Sequence, residues 1–279
     1  MNCKSLTRCM IVALALMLLA VGQAYAGYGG SATPSFPSQV TEGQTNISVS
    51  MDLVPSIVFD PGPVIVRDIT LIPSCGVRTG TGTCALANAD PGVFSVSATG
   101  TGSFQCTGVT FTITETDAAI GEYTFTPDSD IVLDDLERCR ISFTVNVEQL
   151  PSKDATGAGA TSGLDTAQEG KYDLYYPADD TGLKVGSGTG SDMTQVIGCG
   201  DGIINQSFET CDPPGATMPN GSICRDSCTY CGDGQVNNGE MCDDGNTVPY
   251  DGCGIPGGGE NNCLICEDST AACGIEDVA

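Results

Sequence analysis

The chain has 279 residues, and its 35 Asp and Glu against 10 Lys and Arg give a net charge of −25. Because it contains no histidine, Ser-His-Asp and Cys-His catalysis and imidazole-ligated metal sites are excluded. The acidity also disfavours nucleic acid and anionic membrane surfaces, both of which are bound through Lys and Arg. With 16 cysteines, the composition favours a secreted, disulfide-bonded protein that is not an enzyme.

Residues 1–26 have the features of an export signal. Two positive residues precede an apolar run at 11–21, and the Ala-Tyr-Ala sequence at 24–26 supplies a small-residue cleavage pattern. The run is much shorter than the roughly 20 residues that a membrane-spanning helix needs. We expect a mature chain that begins near Gly27, inserts in no membrane, and is secreted, extracellular or bound at the cell surface.

Residues 27–185 carry the period-2 alternation of short β-strands. Apolar and polar residues alternate along 47–53, 109–113 and 141–147. Shorter candidates lie at 64–71, 93–98, 123–126 and 171–176. Turn dipeptides such as Pro-Gly separate these segments. The pattern predicts an all-β chain in which 27–185 form an immunoglobulin-like β-sandwich.

Strand parity places the four cysteines of this region. Cys139 shares the register of the apolar residues that follow it, so it should face the core. A bulge at 107–108 would turn Cys106 inward as well. We therefore expect the disulfide Cys106–Cys139, and a local bridge Cys75–Cys84 across a Gly/Thr-rich loop.

Three short motifs in this region resemble the immunoglobulin-like domains of secreted bacterial surface proteins. They are Asp-Ile-Thr-Leu at 68–71, Asp-Pro-Gly-Val-Phe at 90–94 and Cys-Arg-Ile-Ser-Phe-Thr-Val at 139–145. The resemblance covers roughly 33–176. It implies an architecture and leaves function open, since such domains share a fold and not an activity.

The sequence Gly-Ser-Gly-Thr-Gly-Ser at 186–191 is typical of a flexible linker. We therefore predict a linker at 186–198, with the second region beginning at residue 199.

Residues 199–279 are rich in cysteine and contain an internal repeat. A Cys-Gly-Asp-Gly segment begins at 199 and again at 231, and each is followed by Glu-x-Cys-Asp, at 209–212 and 240–243. These motifs resemble the Myxococcus-type cysteine-rich repeat, with copies at about 199–230 and 231–273. The resemblance implies a small disulfide-rich extracellular module with little regular secondary structure.

All cysteines after the signal are predicted to form disulfides within their own region. Zinc is the competing interpretation, because two Cys-x-x-Cys pairs lie at 228–231 and 263–266. An exported chain meets oxidant before free zinc, which favours disulfides. The predicted disulfide residues are Cys75, Cys84, Cys106, Cys139, Cys199, Cys211, Cys224, Cys228, Cys231, Cys242, Cys253, Cys263, Cys266 and Cys273.

The Asp-Gly pairs of the repeats permit two interpretations. Asp-Gly favours tight turns, in which the aspartate bonds to nearby backbone. Alternatively, oxygen ligands in a disulfide-closed loop could bind calcium, and the excess of carboxylates would favour a counterion. The candidate calcium ligands are Asp233, Asp243, Asp244, Asn246 and Asp251. No other cofactor is expected.

An enzyme without histidine would have to use paired carboxylates, as glycosidases do. The acidic runs at 134–137 and 179–180 are the candidates, but solvated turn residues explain them more simply.

The sequence leaves three classes of function. The first is a surface interaction or adhesion protein with a protein or glycan partner. The second is a structural subunit of a matrix, coat or filament that self-assembles. The third is an accessory subunit or inhibitor of a secreted enzyme.

Overall fold

The computed structural model describes residues 27–58, 62–76, 78–79, 83–152, 155, 164–176, 183–219, 222–230, 232–236, 243 and 245. The predicted export signal at 1–26 lies outside these residues. The described residues contain no helix that is long and apolar enough to cross a membrane.

The described residues form strands, turns and bends, with no helix, so the all-β prediction is confirmed. The strands are β1 (Gly27–Ser35), β2 (Gln39–Thr41), β3 (Ile47–Val58), β4 (Val64–Cys75), β5 (Arg78–Thr79), β6 (Thr83–Cys84), β7 (Phe94–Val96), β8 (Thr99–Phe104), β9 (Thr110–Asp117), β10 (Glu122–Pro127), β11 (Ile131–Leu133), β12 (Cys139–Val147), β13 (Leu164–Tyr175) and β14 (Lys184–Ile197).

Twelve of these strands belong to one sheet that folds over on itself. Its order is β1-β3-β12-β8-β9-β10-β4-β13-β14-β2, with β7 beside β12 and β11 beside β4. A further parallel contact joins β1 to β14 at Tyr28 and Gly186, which closes a circuit of nine strands. The long strands of the circuit therefore have neighbours on both sides, and only short strands branch from it.

The two halves of the folded sheet enclose one apolar core. The alternation predicted for 47–53 and 141–147 is observed: Met51, Leu53 and Ile141 are fully buried, while Ser48 and Ser142 are exposed. Residues from β3, β4, β9, β10, β12 and β13 share this core. The arrangement is an immunoglobulin-like β-sandwich in which strands from opposite halves face each other.

The disulfides Cys75–Cys84 and Cys106–Cys139 are both present. The local structure around Cys106 differs from the predicted bulge. Residues 105–108 form the turn of a hairpin between β8 and β9, in which Thr107 N–H donates to the Phe104 carbonyl and Val109 N–H to the Cys106 carbonyl. The turn reverses the chain, and this reversal accounts for the change in parity.

All but the last residue of the linker predicted at 186–198 belongs instead to strand β14, which pairs with β13 from Lys184 to Val196. Its glycines are required by close packing. A Cβ on Gly188 would lie 2.3 Å from the Tyr172 ring, and one on Gly190 would lie 2.6 Å from the Ala32 carbonyl. The sandwich therefore extends to Ile197 and does not end at 185.

Beyond β14, the described part of the tail is stabilised mainly by disulfide bonds. Cys199 bonds Cys228 and Cys211 bonds Cys224, and the buried cluster of this region consists of Cys211, Cys224 and Cys228. Regular structure is limited to an isolated bridge between Thr217 and Ile223. Other predicted bridge residues lie outside the described residues: Cys231, Cys242, Cys253, Cys263, Cys266 and Cys273.

Candidate functional site

One side of the sandwich presents a sheet face covered with hydroxyl groups. Strand registers align one residue from each of five adjacent strands: Ser35 on β1, Ser50 on β3, Ser142 on β12, Thr101 on β8 and Thr110 on β9. We call these five residues the hydroxyl row. Neighbouring strands are about 4.8 Å apart, so the row is roughly 19 Å long.

The row is accessible from outside. Ser35, Ser142, Thr101 and Thr110 are exposed and Ser50 is partly exposed. Among the described residues, no other group of the protein hydrogen-bonds to these five hydroxyls. Each hydroxyl can donate one hydrogen bond and accept two, so the row offers both functions to a ligand.

A shallow groove of about 490 Å³ lies over the first part of the row. Its floor includes Ser50 and Ser142, and Pro37 and Thr144 line it as well. The Arg140 side chain is also part of its lining. The volume falls within the range of small-molecule binding sites, although the groove is open and not enclosed.

Three charged residues adjoin the hydroxyl row. Arg140 donates two hydrogen bonds to Asp52, from Nε to Oδ1 and from an Nη to Oδ2, both at 2.7 Å. Arg138 approaches the same carboxylate at 3.7 Å. The hydrogen bonds to Asp52 raise the pKa of Arg140. Two guanidinium groups therefore share one carboxylate, which leaves this cluster with one net positive charge.

Phe104 lies at the edge of the same face. Its φ of 60° is in the left-handed region, which few bulky residues adopt. The side chain is 49% exposed, and the guanidinium carbon of Arg138 lies 3.6 Å from the ring centroid. Arg140 lies 5.6 Å from the same centroid. Such cation–π contacts hold the ring at the surface.

The disulfide Cys106–Cys139 fixes the position of Phe104. Cys139 is the direct cross-strand partner of Phe104, and Cys106 lies in the turn that follows it. The bridge thus ties the exposed ring to the start of β12, where Arg138 immediately precedes the strand and Arg140 is its second residue. Residues held in sparsely populated backbone conformations cluster at functional sites.

The repeats of the tail contain a second arrangement, in which a carboxylate is surrounded by backbone N–H groups. In the first copy, Gly200 N–H and Gly202 N–H donate to the two oxygens of Asp212, at 3.0 and 3.1 Å. Both glycines have positive φ, at 104° and 91°. Left-handed glycines on either side of Asp201 turn their N–H groups toward one point, which forms an anion-binding loop.

Two of the predicted calcium ligands lie in the equivalent loop of the second copy. Each Asp243 oxygen accepts two backbone N–H groups, from Gly232 and Asp233 to Oδ2 and from Gly234 and Gly245 to Oδ1, at 2.8–3.1 Å. The Asp233 carboxylate accepts from Gln235 N–H. These are the aspartate-to-backbone bonds that the turn interpretation predicts. They occupy the four main acceptor positions of the Asp243 carboxylate.

The other predicted calcium ligands, Asp244, Asn246 and Asp251, lie outside the described residues. Within those residues, one group has metal-ligand proximity: oxygens of Glu209 and Asp212 and the sulfur of Cys228 lie within 4.8 Å of one another. Cys228 is bonded to Cys199, so no thiolate is available there. The Glu209 Oε2 atom already accepts N–H groups from Asn205 and Gln206.

The carboxylates considered for catalysis hold backbone turns. Asp135 accepts the Ile57 N–H at 2.7 Å, and Glu137 accepts the Asp134 N–H at 2.9 Å. The second candidate pair at 179–180 lies outside the described residues.

Sequence reasoning did not identify Phe104, Arg138 or Arg140. The one available signal was that most polar positions of the alternating segments are Ser or Thr. Their alignment into a row depends on the register between strands, which no single segment reveals.

Residues 216–264 match a family model described as "Domain of unknown function (DUF4215)", a segment that overlaps both repeat copies. No curated protein sequence matches the chain. Among solved structures, the chain is similar to a non-cellulosomal cohesin from the hyperthermophilic archaeon Archaeoglobus fulgidus (15% identity, 62% of this chain and 92% of that one, TM-score 0.31).

The chain is also similar to BcpA, the major pilin subunit of Bacillus cereus (7% identity, 62% of this chain and 41% of that one, TM-score 0.30). A further similar structure is AvmM, described as catalysing macrocyclization in alchivemycin A biosynthesis (11% identity, 60% of this chain and 88% of that one, TM-score 0.29). Structural similarity at these TM-scores does not indicate a shared function.

Proposed function

We propose that this protein is an exported, non-catalytic interaction protein that attaches to a cell surface or an extracellular matrix. The single observation that carries the proposal is the open hydroxyl face with its groove of about 490 Å³, which a large ligand can reach without entering the core. A face of this kind suits binding to an extended partner better than enclosure of a small substrate.

The covalent framework supports an extracellular location. Four disulfides tie loops and turns in both regions of the described chain. Such bridges form and persist in oxidising compartments and are rare in the reducing cytosol. The sulfur-rich cluster of the tail replaces the apolar core that so small a module could not build.

The experiment that tests this function combines location with rebinding. Protease added to intact producing cells should remove the protein, or it should be present in the culture supernatant. The purified full chain, labelled with a fluorophore, should bind those cells or their matrix saturably. Retention of the protein inside intact cells, or binding that never saturates, would contradict the proposal.

A further inference from the structure

We propose that the hydroxyl row and the Phe104 ring together bind a neutral polysaccharide chain. This inference rests on the proposed function and names the chemical class of the partner. The site comprises the row, the groove above its first residues, and the aromatic ring held at the edge of the same sheet face.

The row is suited to a ligand that carries many hydroxyl groups. Its side chains project from adjacent strands at regular intervals of about 4.8 Å. Each can act as donor or acceptor, so a ligand hydroxyl finds a partner in either orientation. A polysaccharide presents hydroxyls along its whole length and can therefore use the entire row in an extended conformation.

The charge of the chain as a whole favours an uncharged ligand over an acidic one. The chain as a whole carries −25, which repels acidic polymers at long range. At the site itself, Arg138 and Arg140 share the single Asp52 carboxylate, so these three groups carry one net positive charge, and the row contributes only hydroxyls. A neutral polymer meets no repulsion there and loses no counterion.

Phe104 supplies the apolar component of the site. One sugar ring face consists mainly of C–H groups, which pack against an aromatic ring. With 49% of its surface exposed, Phe104 has room for such a contact while Arg138 stacks on the ring. The left-handed backbone at this residue explains why an even-numbered position of β8 is exposed on the same face as Thr101 and Ser103.

The same features disfavour a protein partner on this face. Protein–protein interfaces concentrate their energy in buried aromatic and arginine anchors, and Ser and Thr are under-represented among those anchors. The row contains only Ser and Thr, and both arginines near it are already engaged with Asp52 or Phe104. A second copy of the chain would bring two hydroxyl faces together without such an anchor.

The test uses affinity electrophoresis of the purified full chain in native gels. Gels containing hydroxyethyl cellulose or dextran provide neutral probes, and alginate provides an acidic one. The strong negative charge gives the protein ready mobility, so binding appears as retardation. The variant S142A/T101V removes two hydroxyls of the row, and F104L removes the ring while keeping an apolar side chain.

The matched control is S187A/T189V, which makes the same two changes at exposed positions of β14 in the other half of the sheet. We expect at least one neutral probe to retard the wild type and the control equally. Because two hydrogen bonds are lost, S142A/T101V should bind about tenfold more weakly. F104L should show a comparable loss, while thermal unfolding confirms that every variant is folded.

Three results would overturn the proposal: retardation by alginate alone, no retardation by either neutral probe, or an equal loss in the β14 control. A wild-type dimer in sedimentation that S142A/T101V dissociates, without retardation, would assign the face to a second copy. If the labelled chain still bound cells saturably while no neutral probe bound, the assignment of a neutral polysaccharide as the ligand would be wrong and the proposed function would stand.

Discussion

Asp212 and Asp243 hold the same position in successive copies of one loop. Each carboxylate is hydrogen-bonded by the N–H groups of two left-handed glycines, Gly200 and Gly202 in the first copy and Gly232 and Gly234 in the second. The repeated Cys-Gly-Asp-Gly and Cys-Asp motifs thus encode a single interaction, with glycine supplying the backbone conformation and aspartate the acceptor.

Replacing Asp212 with alanine should loosen the first repeat, because two backbone N–H groups lose their acceptor. We expect a loss of about 1–3 kcal/mol in stability of the tail. Limited proteolysis at residues beyond 198 would measure it. The exposed Asp226 is the control, and D226A should be cleaved like the wild type. Equal cleavage of D212A and wild type would show that the loop does not need this carboxylate.

Breaking the Cys106–Cys139 bridge should destabilise the sandwich by about 2–5 kcal/mol, the usual range for a native disulfide in a secreted domain. The double variant C106S/C139S avoids an unpaired thiol, and urea unfolding gives the free energy. C75S/C84S is the comparison, since that bridge spans only nine residues of sequence and not 33. Removing the bridge that closes the longer loop should lower the free energy of unfolding more. A larger loss in C75S/C84S would therefore argue against a chain-entropy origin of the stabilisation.

Gly188→Ala should be strongly destabilising, by about 1–3 kcal/mol, because its methyl would overlap the Tyr172 ring in a packed core. Gly29→Ala is a matched control on another glycine-rich strand, since nothing lies within 4 Å of a Cβ there. Thermal unfolding of the two variants should separate them clearly. If both melted like the wild type, residues 186–198 would behave as the linker that the sequence suggested.

Alkaline pH should destabilise the fold through Tyr175. Its hydroxyl donates to Asp68 at 2.6 Å, and this bond raises the pKa of the phenol from 10.0 to about 12. A raised pKa contributes stability that is complete below pH 10 and is lost as the pH rises toward 12. Y175F should therefore flatten the stability profile in that window. Since burial also raises the pKa of Tyr172, some slope should persist in Y175F.

Calcium binding by the second repeat remains a prediction. Because Asp243 is engaged by four N–H groups, we expect D243N to impair folding of the loop whether or not calcium is present. Asp244→Asn and Asp251→Asn should instead abolish only a calcium-dependent rise in melting temperature. Sodium chloride at matched ionic strength is the control, and an equal rise with sodium would leave the turn interpretation alone.

The strands with strong alternation could be predicted from the sequence, because burial of one face leaves a period of two, as in 47–53 and 141–147. Strands β1 and β14 could not. Their glycines resemble a linker in composition, and only the close approach of the Tyr172 ring and of the neighbouring strand's backbone shows why side chains are excluded at Gly188 and Gly190.

The candidate site was predictable in composition and not in arrangement. Ser and Thr at the outward positions were visible in each segment, whereas the row requires five strands in a fixed register. Phe104 would be assigned to the core by parity. Its exposure follows from a left-handed φ at the hairpin, which the turn and its disulfide impose.

The parallel contact between β1 and β14 determines how the domain responds to tension. A force applied before Gly27 and after Ile197 pulls two parallel neighbouring strands in opposite directions along their length. The force then loads in shear, all at the same time, the contacts between β1 and β14 and the nine paired positions that join β1 to β3. These contacts do not open one after another. A surface attachment built on this sandwich would therefore resist drag applied at its two ends, through β1 and β3, the same two strands that carry Ser35 and Ser50 of the groove.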